Sequence, residues 1–458
     1  MAMDSDCVIL IEEDTPLMEP ITHFLTGACI GRAGLNRKSA YATLAAFLAA
    51  EAADLDVLWG YAGPVEELKH HRGITHTLIG APVVAGVVVG AVWVLYRWRE
   101  RQRSLAAIRL SGNSGSGAVV SRVPKCEGPG ASPSWLSRNG GLRFVLSHPF
   151  HLLSQLKRMG HPPLMATRAE PTVKETGHAP SVAMQEQPVC WGWLYLTALI
   201  AALSHILLDW TNNYGVRPFF PFNPRWYNGS IIFIAEPVIW ALLLLALIMP
   251  AILGLTDREI GVRRPQFSGQ GWAIFALLGM VALWCWRGFE QAKGFTMIGQ
   301  TQVASEPVLR VALEPYPVNP YRWHVLLETR DFYQTAEVNT WNPGSTTAIQ
   351  SDPDTDVQYK PADTPAVEAA KRTLIGEVFQ DWGSWRVIRD AGQEPVPGID
   401  PPQLPPNRQW TTVVFSDLRF RYSFMASQPA GRAPLGGWVY IVDNREEAAE
   451  GMGGREQK

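Results

Sequence analysis

Residues 191–210 read WGWLYLTALIAALSHILLDW, an apolar stretch that ends with a histidine and an aspartate in its last two turns. About 20 apolar residues in a helix are enough to cross a bilayer. Ionisable groups within such a span are costly, so by default they mark a functional site. His205 and Asp209 are four residues apart, and a helix places such a pair on one face. The stretch therefore predicts a transmembrane helix with a polar site near one end.

Other apolar stretches surround this one in the sequence. Residues 41–59, 74–96 and 231–254 have spanning or nearly spanning length, 272–287 is shorter and rich in Trp, and 21–35 is weaker. We predict a mainly α membrane protein with a bundle of about six helices, five or six of them transmembrane. The first stretch is the candidate for a partial span. Its small residues would let it lie close against a neighbouring helix; they are Gly27, Ala28, Gly31 and Ala33.

Basic residues lie in alternate connections of this predicted bundle. The loop at residues 97–190 alone carries 13 Lys or Arg against five Glu and no Asp. Because basic loops tend to remain in the cytoplasm, we predict a multi-pass membrane protein with these connections on the cytoplasmic side. The remaining basic residues of these connections are Arg32, Arg37, Lys38, Arg258, Arg263 and Arg264.

Composition divides the chain into regions. We predict an acidic N-terminal tail at 1–20, a membrane-embedded helical bundle at 21–96 and 190–288, a largely disordered cytoplasmic loop rich in Gly, Ser and Pro at 97–189, and an extramembrane β-rich domain at 289–458. The tail has no Lys or Arg, which is unlike the start of a cleaved signal peptide. Forty Lys and Arg against 42 Asp and Glu give a net charge of −2, which gives no argument for nucleic-acid binding, and we expect no nucleic acid as partner. The apolar stretches make a lipid bilayer the expected partner.

The C-terminal region carries strand patterns and one helix pattern. Its apolar and polar residues alternate in runs rich in β-branched and aromatic types, which is typical of half-buried strands. The segment TPAVEAAKRTLIGEVF has Thr364 as a helix N-cap and Pro365 in the first position. We expect a small α+β domain outside the membrane. The strand-like runs are VLRVALE, YRWHVLLET, FYQTAEVNT, WTTVVFSD, LRFRYSF and GGWVYIV.

Further ionisable residues lie at the ends of the other apolar stretches, on the side away from the basic connections. Imidazoles and carboxylates together are ligands for zinc or another divalent metal. Each residue also has a simpler interpretation, as a solvated helix end, a bystander histidine or a favourable acid at a helix N-terminus. With His205 and Asp209, the candidate metal ligands are His23, Asp54, Asp56, His71, His76 and Glu236.

Two of these segments leave alternatives open. Asp54 and Asp56 do not share a helical face, so either the helix ends there and both turn inward, or only one is a ligand. The run HHRGITH contains three histidines within seven residues, which is harder to explain by solvation. Arg72 within it suits an anionic substrate, because Arg binds phosphate in a bidentate manner.

The pieces MEPITHFLTGACIGRAGL, AADLDVL, HHRGITHTL and SHILLDWTNNYGVRPFFPFNPRWYNG resemble the YdjM-like inner-membrane proteins. That family in turn is similar to the all-helical superfamily of zinc-dependent phospholipase C and single-strand nucleases. The resemblance implies a metal-dependent hydrolase of the bacterial inner membrane whose ligands would include His23, Asp54 or Asp56, His76, and His205 with Asp209. His71 matches a motif of the membrane family only.

The sequence departs from the family pattern in two places. Glu236-Pro237 stands where the resemblance implies Asp-Pro, and Glu is a workable substitute as a ligand. Ser230 stands where an Asp is expected, which implies one ligand fewer. We therefore expect one or two ions in the site.

The leading hypothesis is a membrane-bound hydrolase that acts on a phosphoester of a phospholipid or a lipid-linked substrate. A divalent ion, expected to be Zn²⁺, would lower the pKa of a bound water, and Asp54 or Asp56 would serve as general base if it is not a ligand. The alternative is a non-catalytic scaffold with a structural metal and a partner-binding C-terminal domain. A transporter is the third hypothesis, and it is disfavoured because the polar residues lie at one membrane face.

Overall fold

The computed structural model describes residues 20–111, 187–260, 268–299, 307–342, 356–422, 435–444, 449–452 and 455–456. The predicted acidic tail lies outside these residues apart from Pro20, and so does most of the predicted loop at 97–189. The disorder predicted for that loop therefore stays a prediction.

The described part of the chain begins with a short helical hairpin. Helix α1 (Pro20–Arg32) packs against α2 (Ala42–Glu51), and a 3₁₀ segment (Ala52–Tyr61) continues from α2. Residues 41–59, which were predicted as one long helix, thus contain only ten residues of α-helix. The short helix α3 (Pro64–His70), which the sequence did not predict, follows.

Four long helices complete the bundle. They are α4 (Gly80–Ser111), α5 (Trp191–Thr211), α6 (Pro237–Glu259) and α7 (Gln270–Gly299). Among the described residues, these four are long and apolar enough to cross a membrane, which is fewer than the five or six spans predicted. Large apolar side chains on them face outward, including Val87, Leu245 and Leu278. Outward-facing apolar surface of this kind is what a lipid environment solvates.

Two helices extend further than predicted. Helix α4 continues to Ser111, so residues 97–111 are helical and do not belong to the predicted loop. Helix α7 continues to Gly299 and carries the chain beyond the predicted boundary at 288. In both cases the sequence prediction stopped where the apolar stretch stopped, but a helix that has left the apolar layer can continue with polar side chains.

The helices alternate in direction, so the bundle has two distinct ends. The basic end holds the α1–α2 connection and the starts of α5 and α7. There, Gln270 donates a hydrogen bond to the carbonyl of Ala33 at 2.8 Å, and Gln187 donates to the carbonyl of Asn36 at 2.9 Å. The opposite end, called the site end, holds the start of α1, the 3₁₀ segment and the end of α5.

Within its described residues, the C-terminal region contains two antiparallel sheets and two short helices. One sheet has the order β1-β2-β3-β4 and the other β5-β6-β7-β8-β9. The strands are β1 (Arg310–Pro315), β2 (Arg322–Glu328), β3 (Phe332–Asn339), β4 (Asp356–Tyr359), β5 (Arg386–Asp390), β6 (Trp410–Asp417), β7 (Gly437–Val442), β8 (Ala449–Met452) and β9 (Arg455–Glu456). The helices are α8 (Pro365–Ala370) and α9 (Leu374–Trp382).

The structure confirms the predicted strands and helix of this region, with two corrections. The Thr364 hydroxyl accepts from the backbone N–H of Val367, which confirms the N-cap, but the predicted helix is broken in two because Thr373 caps a second helix. The run LRFRYSF, predicted as a strand, begins as a 3₁₀ turn (Leu418–Phe420) in which Asp417 accepts from the N–H of Arg419.

The C-terminal region packs on the site end of the bundle. Asn213, just after α5, donates to the hydroxyl of Tyr422 at 3.1 Å. The buried Arg419 guanidinium donates to the carbonyls of Asn213 and Tyr214. Arg217 forms an ion pair with Asp381 at 2.8 Å. The candidate site and the C-terminal region therefore lie at the same end of the bundle.

The close packing of the α1–α2 hairpin depends on two of the small residues noted in the first apolar stretch, Gly27 and Gly31. A Cβ added to Gly27 would lie 2.5 Å from the carbonyl oxygen of Ala46, and one added to Gly31 would lie 2.6 Å from the Cα of Thr43. No side chain fits at either position without separating α1 from α2. This confirms the prediction of close packing in the first stretch.

We expect Gly27→Val to lower the unfolding free energy of the detergent-purified protein by about 1–3 kcal/mol, because overpacking a close contact costs that much. Gly86→Val in α4 is the matched control, since a Cβ there meets nothing within 4 Å. Thermal or denaturant unfolding of both variants provides the measurement. Equal stability of the two variants would contradict the packing argument.

Candidate metal centre

The end of α5 places two of the predicted residues in the bundle interior. His205 and Asp209 are fully buried, and the Nε2 of His205 lies 3.3 Å from the Oδ2 of Asp209. The His205 Nδ1 is 2.6 Å from the carbonyl oxygen of Ala50, near the end of α2. A carbonyl only accepts, so Nδ1 carries the proton, and in the neutral ring Nε2 is left with a lone pair directed at the carboxylates.

The first turn of α1 supplies the third residue. The ring of His23 stacks on the ring of His205 with a centroid separation of 3.8 Å. Its Nε2 lies 3.5 Å from the Oδ1 of Asp209 and 4.0 Å from the Oδ2 of Asp54. The simpler interpretation of His23 as a bystander therefore does not hold, because its ring lies within the cluster of polar residues.

The 3₁₀ segment after α2 turns both of its aspartates inward. The Oδ1 of Asp54 lies 3.0 Å from the Nε2 of His76 and 3.4 Å from the Nε2 of His205. The Oδ1 of Asp56 lies 3.1 Å from the Nδ1 of His71. Of the two arrangements that the sequence left open, the structure shows the one in which the α-helix ends and both carboxylates face the site.

The loop between α3 and α4 wraps around the same carboxylates. Arg72 has a left-handed backbone (φ of 54°), and its N–H donates to the Oδ2 of Asp56 at 2.8 Å. Its guanidinium lies 2.8 Å from the Oδ1 of Asp209. The Nδ1 of His76 lies 3.4 Å from the Oδ2 of Asp56. A non-glycine residue in this backbone region is uncommon and tends to occur at functional sites.

The first histidine of the HHRGITH run has a different environment. His70 stacks on Trp59 at a centroid distance of 4.1 Å and pairs with Glu66 at 3.2 Å on the partly exposed face of α3. Only His71 and His76 of this run belong to the cluster.

Seven of the eight predicted ligands thus come together. They form three overlapping groups, and within each group one ligand atom per residue lies within 4.8 Å of the others. Each group could hold a metal ion. The groups are His23 with Asp54 and His205, His76 with His205 and Asp209, and Asp54 with Asp56 and His71.

Glu236 has a different place. Its Oε2 lies 3.2 Å from a guanidinium nitrogen of Arg287 in α7, and its Oε1 accepts from the N–H of Val318 at 3.1 Å. Among the described residues it belongs to none of the three groups. Ser230, at the other departure from the family pattern, accepts from the side chain of Asn228 at 2.8 Å and is not in a group either. Both residues lie on the side of the bundle that meets the C-terminal region.

The sequence prediction missed the residues that support Arg72. The Asn212 Oδ1 accepts from the Arg72 guanidinium at 3.3 Å and from two backbone N–H groups of the following turn. The Tyr214 ring lies 4.5 Å from the Arg72 guanidinium and packs against His71. Asn212 and Tyr214 lie in the run TNNYG directly after the His-x3-Asp pair, so their position was visible in the sequence. Nothing in that run indicates that these residues contact Arg72.

The donor set fits a divalent cation. The buried Asp209 Oδ1 contacts the Arg72 guanidinium at 2.8 Å. Within the part of the chain that the structure describes, the buried Asp209 Oδ2 and His205 Nε2 make no well-formed hydrogen bond and meet only other imidazoles and carboxylates of the cluster, at 3.3–3.6 Å. Buried polar atoms of this kind are rare unless something else satisfies them. Imidazole nitrogens with carboxylate oxygens form the usual ligand set of zinc outside cysteine sites.

The aspartates of the 3₁₀ segment are kept ionised. Burial by itself would raise the pKa of Asp54, but the neighbouring His205 and a hydrogen bond from His76 hold the pKa well below its ordinary value. Burial likewise opposes ionisation of Asp56, and its contacts with His71 outweigh it and lower the pKa. A cation ligand must be deprotonated, and both carboxylates meet that requirement.

Comparison with known proteins agrees with the sequence resemblance. The family described as YdjM inner membrane protein matches residues 18–294, which is more than half of the chain. The match covers every residue of the cluster and the helical bundle up to Gly294, near the end of α7. No curated protein and no solved structure matches the chain.

We expect His205→Ala to weaken binding of a divalent ion by at least about 100-fold, because a small ligand set loses a neutral donor whose ring is already oriented. His70→Ala is the matched control, since it changes a histidine of the adjacent loop that lies outside the cluster. Metal content and titration with Zn²⁺ of both detergent-purified variants provide the measurement. Equal metal binding by His205→Ala and His70→Ala would contradict a metal centre here.

Proposed function

Because the chain belongs to the YdjM inner membrane protein family, we propose that it is a membrane-embedded, metal-dependent hydrolase of a lipid phosphoester. The observation that carries this proposal is the meeting of imidazoles and carboxylates from four separate chain segments at one buried point. Burying so many ionisable groups is expensive. Such a cluster is therefore expected to have a function, and imidazoles together with carboxylates are chemically suited to bind a metal ion.

The central ligands are proposed from their mutual contacts. The carboxylate of Asp209 and the Nε2 atoms of His23, His76 and His205 would hold the ion, which we propose is Zn²⁺. When bound, such an ion polarises a phosphoryl oxygen and lowers the pKa of a water ligand to about 7.

The other residues of the cluster would position these ligands. Asp56 contacts the Nδ1 of His76 and the Nδ1 of His71, so it orients both rings. Arg72 offsets the charge of Asp209, which its guanidinium contacts at 2.8 Å, so it would also attract an anionic phosphoester. Asp54 is the most exposed member of the cluster, with 13 % of its side chain accessible. It is therefore the carboxylate placed to take a proton from an incoming water.

The surroundings of Asp54 support a lipid substrate. Leu55 and Leu58, on the outward side of the same 3₁₀ segment, are 59 % and 56 % exposed, and Ile74 in the neighbouring loop is 59 % exposed. Trp59 and Tyr61 are exposed beside them, and these residue types are enriched at membrane interfaces. An apolar rim next to a phosphate-binding centre suits a molecule with acyl chains and a phosphoester.

The alternative is a scaffold in which a metal ties the helix ends together. The contacts between this end of the bundle and the C-terminal region favour it, because Asn213 and Tyr214 connect the metal centre to Arg419. In that case the C-terminal region would bind a protein partner. The two functions differ in coordination, since a catalytic zinc keeps a position open for water and a structural zinc does not.

We further propose that the metal centre and the C-terminal region lie on the extracytoplasmic side. The support is that they share one end of the bundle, while the basic residues gather at the other.

For this orientation we expect an alkaline phosphatase fused after Lys458 to be active and a green fluorescent protein fused there to be dark. Fusions after Ser111, at the end of α4, should give the reverse result. Enzyme activity and fluorescence of whole cells provide the measurement. A fluorescent fusion after Lys458 would place the centre in the cytoplasm and overturn the proposed side.

For the chemistry we expect the zinc-loaded protein to hydrolyse a phospholipid phosphoester, and Asp54→Asn to lower the rate by about 10²–10⁴-fold, the typical contribution of a positioned acid or base. Asp363→Asn, at an exposed position near α8, is the control and should leave the rate unchanged. Chelation should abolish the activity and added Zn²⁺ should restore it. Full metal content without hydrolysis of any phosphoester tested would favour the scaffold.

A further inference from the structure

A second concave surface lies at the basic end of the bundle, away from the metal centre. It is a cavity of about 610 Å³ between the α1–α2 connection, the first turn of α5 and helix α7. Small-molecule sites typically enclose about 300–1,000 Å³, so the cavity has the size of a ligand site. The proposed hydrolysis makes no use of it.

The walls of this cavity combine two kinds of surface. Ile30, Leu35 and Leu277 supply apolar side chains, while Arg37 and Lys38 supply two exposed cations. The Lys38 ammonium lies 5.4 Å from the ring centroid of Trp193, which also lines the cavity. Apolar walls with cations and a Trp at the end of membrane-spanning helices are the surroundings of a lipid headgroup.

The charge of this end is not balanced by its neighbours. Among the described residues, no Asp or Glu lines the cavity, and neither Arg37 nor Lys38 forms an ion pair with a carboxylate. Residues 97–190, which comprise the end of α4 and its connection to α5, carry 13 Lys or Arg against five Glu, so they add charge of the same sign. The cavity therefore favours an anionic ligand from outside the chain.

We propose that this cavity binds an anionic glycerophospholipid. Its phosphate would lie between Arg37 and Lys38, and its acyl chains would follow the apolar surface formed by Ile30 and Leu277. A soluble anion would use the two cations but not the apolar walls. The bound lipid would stabilise the α1–α2 hairpin from the end opposite His23, and the proposal does not depend on the hydrolytic function.

Native mass spectrometry of the full chain in detergent tests this with phosphatidylglycerol and phosphatidylcholine of identical acyl chains. The wild type should retain one phosphatidylglycerol at least about tenfold more tightly than phosphatidylcholine. Arg37→Gln with Lys38→Gln should weaken that binding by about 30-fold, since each basic residue near an anionic lipid contributes roughly fivefold. Leu277→Trp, which fills the cavity without changing its charge, should weaken it as well.

The matched control is Arg97→Gln with Arg101→Gln, which removes two exposed cations of α4 that do not line the cavity. This control should bind phosphatidylglycerol within about twofold of the wild type, in the range of a non-specific charge effect. Equal affinity for the two lipids, or equal losses in the two double variants, would overturn the proposal. Glycerol phosphate binding as tightly as phosphatidylglycerol would overturn it too, because the site would then be one for a soluble anion.

Discussion

The structure depends on the burial of one carboxylate, that of Asp209, at the apolar end of a membrane-spanning helix. An isolated ionised carboxylate in such surroundings is very costly, and it is tolerated only where partners offset its charge. Here Arg72 contacts one oxygen while His76 and His205 lie near the other. These partners come from different parts of the chain, so the fold must bring their segments to the end of α5.

The packing of the other helices brings these partners to Asp209. Close packing of α1 on α2 brings His23 beside His205, and it is possible only because Gly27 lies against the backbone of Ala46. The α-helix then gives way to 3₁₀ turns just after Ala50, whose carbonyl fixes the His205 ring. A longer helix at this point would carry the two aspartates past the site. A substitution in the hairpin, far from the candidate metal centre, is therefore able to disturb it.

Much of this was predictable from the sequence, because the signals were local. The His-x3-Asp spacing on α5, the apolar lengths and the alternate basic connections predicted which residues gather at one end. Which contacts each of these residues makes was not predictable. Whether Asp54 and Asp56 both turn inward depends on where α2 ends, and no cap or proline marks that point. The Glu236 carboxylate lies at the expected end of the bundle, but it forms an ion pair with Arg287, which is far away in the sequence, and does not join the cluster. The extent of α4 and α7 beyond the apolar layer, and the contacts of Tyr214, are likewise set by tertiary packing.

X-ray absorption at the zinc edge of the zinc-loaded protein tests the account most directly, because it reports the atoms bound to the metal without any assumption about activity. The account predicts a shell of nitrogen and oxygen ligands at about 2.0–2.1 Å, with the outer-shell scattering of two or three imidazoles and no sulfur. His205→Ala should reduce the imidazole scattering, and His70→Ala should leave it unchanged. A spectrum with oxygen ligands alone, or one with sulfur, would contradict a centre built from His23, His76 and His205.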